Sequence, residues 1–192
     1  MREIMRFAVT IFAAASVFAL AGCGTSTDNQ AAPQSQSARD AAGDATIASG
    51  LGSDDSKFSD AVKAAGLDAT LAGPGPYTVL VPTNAAFDKL PAGALDSLMK
   101  PDGRPQLTKL LTGHILPGTI LAADIGKAID NGKGKAMLAT FGGGTLTATR
   151  EGEKIVLTDS AGGRVVLAAG DDKRSNGVVH HLDGVLMPTK SG

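Results

Sequence analysis

The spacing of apolar residues changes character at Lys135, and few folds accommodate both halves of such a chain. Upstream the spacing is helical. Phe58, Ala61, Val62 and Ala65 stand at i, i+3, i+4 and i+7, one stripe that stops at Gly66. Leu95, Leu98 and Met99 predict another short helix, and Leu107, Leu110 and Leu111 a third before Gly113. From Lys135 the period becomes two, or short apolar runs: "KAMLAT", "TLTATR", "KIVLTD", "RVVLAA", "VVHHL" and "VLMP". Gly, Asn and Asp clusters punctuate these runs, as hairpin connections require. Residues 159–163 form one such connection, and Asp183-Gly184 reads as a two-residue turn joining "VVHHL" to "VLMP". Helices first and an antiparallel meander second define an α+β chain, with helices packed on part of a sheet.

One stretch joins the two regimes early. In "YTVLVPTNAAFDKLP", residues 77–91, Tyr77, Val79 and Val81 point to one face of a strand and Thr78, Leu80 and Pro82 to the other. A strand apolar on both faces belongs in the interior. Pro82 lacks the amide hydrogen that a ladder uses, so the strand ends there. Thr83 or Asn84 can then cap a short helix, Phe87 and Leu90 return to the core, and Pro91 stops further turns.

Lys and Arg number 18 against 19 Asp and Glu, so no positive field exists to hold a polyanion, and nucleic acid is not an expected partner. Aromatic residues make up 4% of the chain, with no Trp and one Tyr, so stacking platforms for bases or sugars are scarce. At 192 residues and 43% hydrophobic, the chain suits one ordinary domain.

The first segment has a different character. "MREIMRFAVTIFAAASVFALAGC" carries Arg2 and Arg6, an uncharged run over residues 7–21, and small residues up to Cys23, which is the layout of an export signal. The run is shorter than the roughly 20 residues that a membrane-spanning helix needs. Leu20-Ala21-Gly22-Cys23 resembles the lipobox of bacterial lipoproteins, in which the Cys thiol receives a diacylglyceryl group and becomes the new N-terminus. Cys23 is the single cysteine and has no disulfide partner. Several acyl chains on one terminus suffice for stable anchoring. The expected division is therefore a signal peptide over 1–22, a lipidated Cys23 with a flexible tether over 23–43, a folded domain over 44–188 and a tail over 189–192. The tether is rich in Ser, Gln, Ala and Thr and has no bulky apolar residue to bury.

The residues at the corner carry a family resemblance as well. "YTVLVPTNAAFDKLP" resembles the first signature of the fasciclin domain, and "NGVVHHLDGVLMP", residues 176–188, its second. "LLTGHILPGTI", residues 110–120, resembles the family's central segment, with Gly113 where the family usually has Tyr. The resemblance spans residues 44–188 in the family's order. It implies a wedge-shaped β-sandwich with a bundle of short helices at one end. Carried over by position, Thr83, Asn84 and Phe87 belong to the first signature, His114 to the centre, and Asn176, His180, Asp183 and Pro188 to the second. The Tyr-His segment is the part linked with integrin binding in animal relatives, so Gly113 removes the reason to expect such a receptor.

The residues that could carry chemistry have structural readings. His114 follows a helix and opens an apolar run, which suits a core histidine bonded to backbone, here expected to bond the Thr83-Asn84 corner and tie helix start to sheet. His180 and His181 are neighbours on a strand, face opposite sides and cannot chelate one ion together. With three histidines and one cysteine, no metal site and no cofactor are expected. Asp54-Asp55 and Asp171-Asp172 read as solvated loop charge, without the spaced acidic pattern of a calcium loop. No Gly-x-Ser-x-Gly elbow is present, and Ser160 beside Asp159 sits in a turn. "GKAIDNGKGK", residues 126–135, misses the P-loop spacing and reads as a helix end and loop, and Gly142-Gly143-Gly144 as a turn.

The functional expectation is a non-enzymatic module, lipid-anchored to a bacterial envelope membrane and available for adhesion or protein contact. Its partner would be an envelope, cell-surface or matrix component. Gly24 is not the Asp that retains many lipoproteins at the inner membrane of enteric bacteria, which favours outer-membrane delivery. The alternative is a carrier of a small apolar ligand, a lipid or pigment, in a crevice between helices and sheet.

Overall fold

The structure is a computed structural model that describes residues 44–187. The expected signal peptide, Cys23, the tether, Pro188 and the tail lie outside the described residues. No helix among the described residues is long and apolar enough to cross a membrane.

The front half is helical, as its spacing predicts. Helices α1 (Ile47–Gly50), α2 (Ser56–Ala65) and α3 (Asp68–Ala72) precede strand β1 (Tyr77–Pro82). Helices α4 (Asn84–Asp88), α5 (Ala94–Met99) and α6 (Arg104–Thr112) follow, then strand β2 (Ile115–Pro117) and helix α7 (Ala122–Asn131). The α2 stripe of Phe58, Ala61 and Val62 is buried, and the helix ends at Gly66, whose left-handed φ of 74° closes the cap on the Val62 and Lys63 carbonyls.

The back half is the expected meander: β3 (Lys135–Ala139), β4 (Thr145–Glu151), β5 (Lys154–Thr158), β6 (Arg164–Arg174) and β7 (Gly177–Leu182), each antiparallel to the next. Sequence spacing did not show how the meander meets the front half. β7 pairs in parallel with β1, from Tyr77 opposite Gly177 to Pro82 opposite Leu182, and β2 lies antiparallel on the other side of β1. The strand order is therefore β2-β1-β7-β6-β5-β4-β3. Phe141, just past β3, donates its N–H to the Ile115 carbonyl of β2 at 2.8 Å, so the two ends of the order meet and the seven strands nearly close.

β1 divides the interior. Val79 and Val81 join the helical layer formed by Ile47, Phe58, Leu71, Phe87, Leu107 and Leu111. Leu80 points the other way, into a second core enclosed by the sheet with Leu116, Leu138, Leu157 and Leu182. Helix α7 plugs that enclosure with Ile125 and Ile129, one turn apart on one face. A strand buried on both faces is what the double apolar run in residues 77–82 requires.

Two sequence expectations fail in this half. "VLMP" is not a strand: β7 stops at Leu182, and residues 183–187 run on without strand pairing. The Asp183 carboxylate accepts the Val166 N–H at 2.7 Å, and the Asp183 N–H reaches the Val166 carbonyl at 3.1 Å, so these groups bond to β6 and no hairpin forms. Asp171 and Asp172 lie within β6, where the register against β7 shifts twice and Asp171 adopts a φ of 64°.

Because Leu80 has no exposed surface and is packed on every side, Leu80→Ala is expected to destabilise the domain by about 2–5 kcal/mol. Urea denaturation should show a lower midpoint with an unchanged slope.

Candidate functional site

The strand-to-helix corner is held from three directions. Thr83, extended at φ −65° and ψ 163°, caps α4 by accepting the Ala86 N–H on its hydroxyl at 3.3 Å. Its own N–H bonds the Leu182 carbonyl at the end of β7. Asn84 turns to the start of α2: its Oδ1 accepts the Lys57 N–H at 3.0 Å and its Nδ2 donates to the Ser53 carbonyl at 2.9 Å. Phe87 is buried among the helices. The corner thus joins sheet to helical layer through Thr83 and Asn84.

His114 does not take part in it, contrary to the expectation from sequence. α6 ends at Thr112, and the His114 ring folds back on that helix, where Nδ1–H donates to the Leu110 carbonyl at 2.8 Å. Nε2 accepts the Leu186 N–H at 3.2 Å, so the ring fastens the segment after β7 to the end of α6. Acceptance at Nε2 requires the neutral ring. Complete burial lowers the His114 pKa from 6.5 to about 4, outweighing the Leu110 bond and the Asp159 charge, which both act upward.

His180 makes a second such knot. Nε2–H donates to the Ile120 carbonyl at 2.7 Å, and Nδ1 accepts the Asp171 N–H at 3.2 Å. The irregular backbone of β6 brings that N–H inward, and a Cβ at Gly170 would stand 2.7 Å from His180 Nδ1, so glycine is required there. The Asp171 carboxylate meanwhile accepts the Ala122 N–H and caps α7. Burial lowers the His180 pKa too; the Ile120 bond and Asp171 raise it, and His181 lowers it further.

His181 faces the opposite side, as neighbours on a strand must. Its Nε2 bonds the Asp55 carboxylate at 3.1 Å, and Asp55 is 5% exposed, not the solvated loop charge expected from sequence. Asp55 is the buried residue of the turn at Ser53–Asp55, whose other two residues are exposed, and its carboxylate meets His181 on β7. Asn176 uses both ends of its side chain: Oδ1 accepts the Ile47 N–H at 2.8 Å, and Nδ2 donates to Leu71 and Gly73 carbonyls at 2.7 and 2.8 Å. It fixes α1, α3 and β7 together. Nothing in sequence marked these partners, since each lies at least 103 positions away.

Asp159, read from sequence only as a turn residue, is another organising group. Oδ1 accepts the Ala161 and Gly163 N–H groups, and Oδ2 the Met187 N–H at 3.0 Å. It lines a cleft of about 230 Å³ between the end of α6, the β3–β4 turn, the β5–β6 turn and the segment after β7. Ser160 and Gly113 line it as well. His114 offers no free nitrogen to activate Ser160, because Leu110 and Leu186 occupy both. Among the described residues no group of three or more His, Cys, Asp or Glu could hold a metal ion.

A nearly closed seven-stranded sheet capped by short helices, with several buried polar side chains bonded to backbone groups of the same domain, defines an α+β domain. The fasciclin-domain model matches residues 53–188, and the chain belongs to the fasciclin-domain family. It is 38% identical over 128 residues to protein sll1483 of Synechocystis, covering 67% of this chain and 64% of that one. It is 34% identical over 129 residues to the pig transforming growth factor-beta-induced protein ig-h3, covering 67% of this chain but 17% of the relative. The chain thus spans less than two thirds of either relative. Its fold is similar to a FAS1 domain pair from the insect cell adhesion molecule fasciclin I, with a TM-score of 0.65 at 20% identity over 76% of this chain and 52% of that one.

Two outcomes test the knots. Asn176→Ala removes the side-chain partner of three backbone groups, two of them in buried bonds, and is expected to cost roughly 3 kcal/mol of unfolding free energy. The His114 pKa is lower in the folded state than in the unfolded one, so its contribution is complete above about 6.5 and is lost as pH falls towards about 4. The loss from this group amounts to about 3 kcal/mol, and in His114→Gln the pH dependence of unfolding free energy should flatten across that window.

Proposed function

We propose that the domain is a non-enzymatic interaction module of the bacterial envelope, used for adhesion or protein contact. The observation that carries this reading is how the motif residues are employed. Thr83, Asn84, His114, Asn176, His180 and Asp183 direct their polar atoms to the domain's own backbone. They build a rigid body and leave recognition to its surface. Family membership supports the same reading, and one structural relative is a domain pair from a cell adhesion molecule.

The anchor completes the proposal. Acyl chains on Cys23 hold the protein at an envelope membrane, with outer-membrane delivery favoured by Gly24, and residues 24–43 give the domain reach. Confinement to a surface raises the effective concentration of a partner on that surface, so a modest contact suffices. The partner is an envelope, cell-surface or matrix component. Carriage of a lipid or pigment fits less well, because the cleft of about 230 Å³ is below the roughly 300–1,000 Å³ of ordinary ligand pockets.

Cys23→Ala provides the test. The wild-type protein should fractionate with membranes carrying a mass increment of acyl chains on its N-terminal residue, and the variant should lose both properties and reduce cell attachment. Unchanged fractionation and mass would overturn the anchor; unchanged attachment on complete deletion of the chain would overturn the adhesive role.

A further inference from the structure

The cleft beside Gly113 is built from unlike parts. Leu146, Leu186 and Met187 contribute apolar groups to its lining, and Lys109, Thr140 and Asp159 polar ones. Its glycines do not all stand there for the same reason. Gly143 has a φ of 76°, so backbone geometry accounts for it. Gly113 differs. Its φ of −68° and ψ of −17° suit any residue, and a Cβ would stand 3.1 Å from the Leu110 carbonyl oxygen and 3.4 Å from that of Lys109, so a side chain here needs the helix end to give by a few tenths of an ångström. Backbone conformation does not demand glycine at this place, and its lack of a side chain leaves the cleft open.

The carboxylate sets what the opening can receive. Asp159 is 8% exposed, and its Oδ1 takes two N–H groups whereas Oδ2 takes one, from Met187. An ionised carboxylate has about four lone-pair sites, so Oδ2 retains capacity for one more donor. Volume sets the rest. A dry apolar cavity of about 150 Å³ holds benzene; a cleft of about 230 Å³ has room for one substituted ring.

We propose that this cleft is a binding site for a single phenolic ring, its faces against the leucines, its edge near the Met187 sulfur and its hydroxyl donating to Asp159 Oδ2. The hydroxyl bond is charge-assisted, and thioether sulfur is favourable beside an aromatic ring. A hydrocarbon chain would leave the carboxylate unused. The phenol is either a free small molecule or the tyrosine side chain of a polypeptide, which the experiment separates.

The purified full chain is titrated with p-cresol, with toluene and with a blocked Gly-Tyr-Gly peptide while amide NMR shifts are followed. Saturable shifts at Gly113, Gly142, Ser160 and Met187 with p-cresol are expected, and toluene should bind at least about tenfold more weakly, a difference of about 1.4 kcal/mol. Binding of the peptide as well as p-cresol identifies a tyrosine side chain as an acceptable source; binding of p-cresol alone identifies a free phenol. Gly113→Tyr fills the cleft from its own wall and should abolish p-cresol binding. Absence of saturable shifts, equal affinity for toluene, or undiminished binding by folded Gly113→Tyr would each overturn the proposal. Should that variant not fold, the p-cresol to toluene ratio in the wild-type chain decides alone. Cell attachment is a separate readout, so failure here leaves the adhesion reading standing.

Discussion

Burial of β1 on both faces is the constraint from which the rest of the architecture follows. Val79 and Val81 on one side and Leu80 on the other require apolar layers above and below a single strand. Helices supply one layer, and the curled sheet with α7 inside it supplies the other. Both edges of β1 are also paired, with β2 and β7, so its backbone groups are satisfied without solvent. The strand is a partition wall, and the corner at Thr83 and Asn84 is where the chain leaves it.

Polar side chains around this wall have a common use. Asn176, His114, His180, Asp159 and Asp183 each bond backbone groups of segments distant in sequence. Short helices and connecting segments carry many backbone groups that regular ladders do not satisfy, and a buried amide, imidazole or carboxylate can satisfy two or three at once. This explains why motif residues that look chemical act as fasteners. It also explains why neutral imidazole is required at His114 and His180: a ring that donates at one nitrogen and accepts at the other cannot be protonated without losing the acceptor.

Local features were legible in the sequence, and distant ones were not. The strand ending at Pro82, the Thr83 cap, the α2 stripe ending at Gly66 and the meander from Lys135 all rest on neighbouring residues, and all are present. The resemblance in three spaced segments anticipated the family and the fold. The errors involve tertiary partners. Asp183-Gly184 has the composition of a hairpin turn, but the Val166 N–H takes the carboxylate and the chain continues along β6 instead. Asp55 looks solvated beside Asp54 until β7 brings His181 against it from 126 positions away. His114 is expected to bond the Thr83-Asn84 corner, whereas its partners are its own helix and Leu186. The cleft depends on four separate segments meeting, and no one of them announces it.

The parallel pairing of β1 with β7 has a kinetic consequence. Partners about a hundred residues apart, Tyr77 with Gly177 through Pro82 with Leu182, make this contact strongly non-local. Contacts of that separation are slow to form, because the loop between them must be ordered first. A nascent chain that has emerged only as far as β6 still has one edge of its central strand bare and the second knot of polar fasteners missing. Completion of the domain therefore waits for its last strand, and the chain stays open until that strand has emerged.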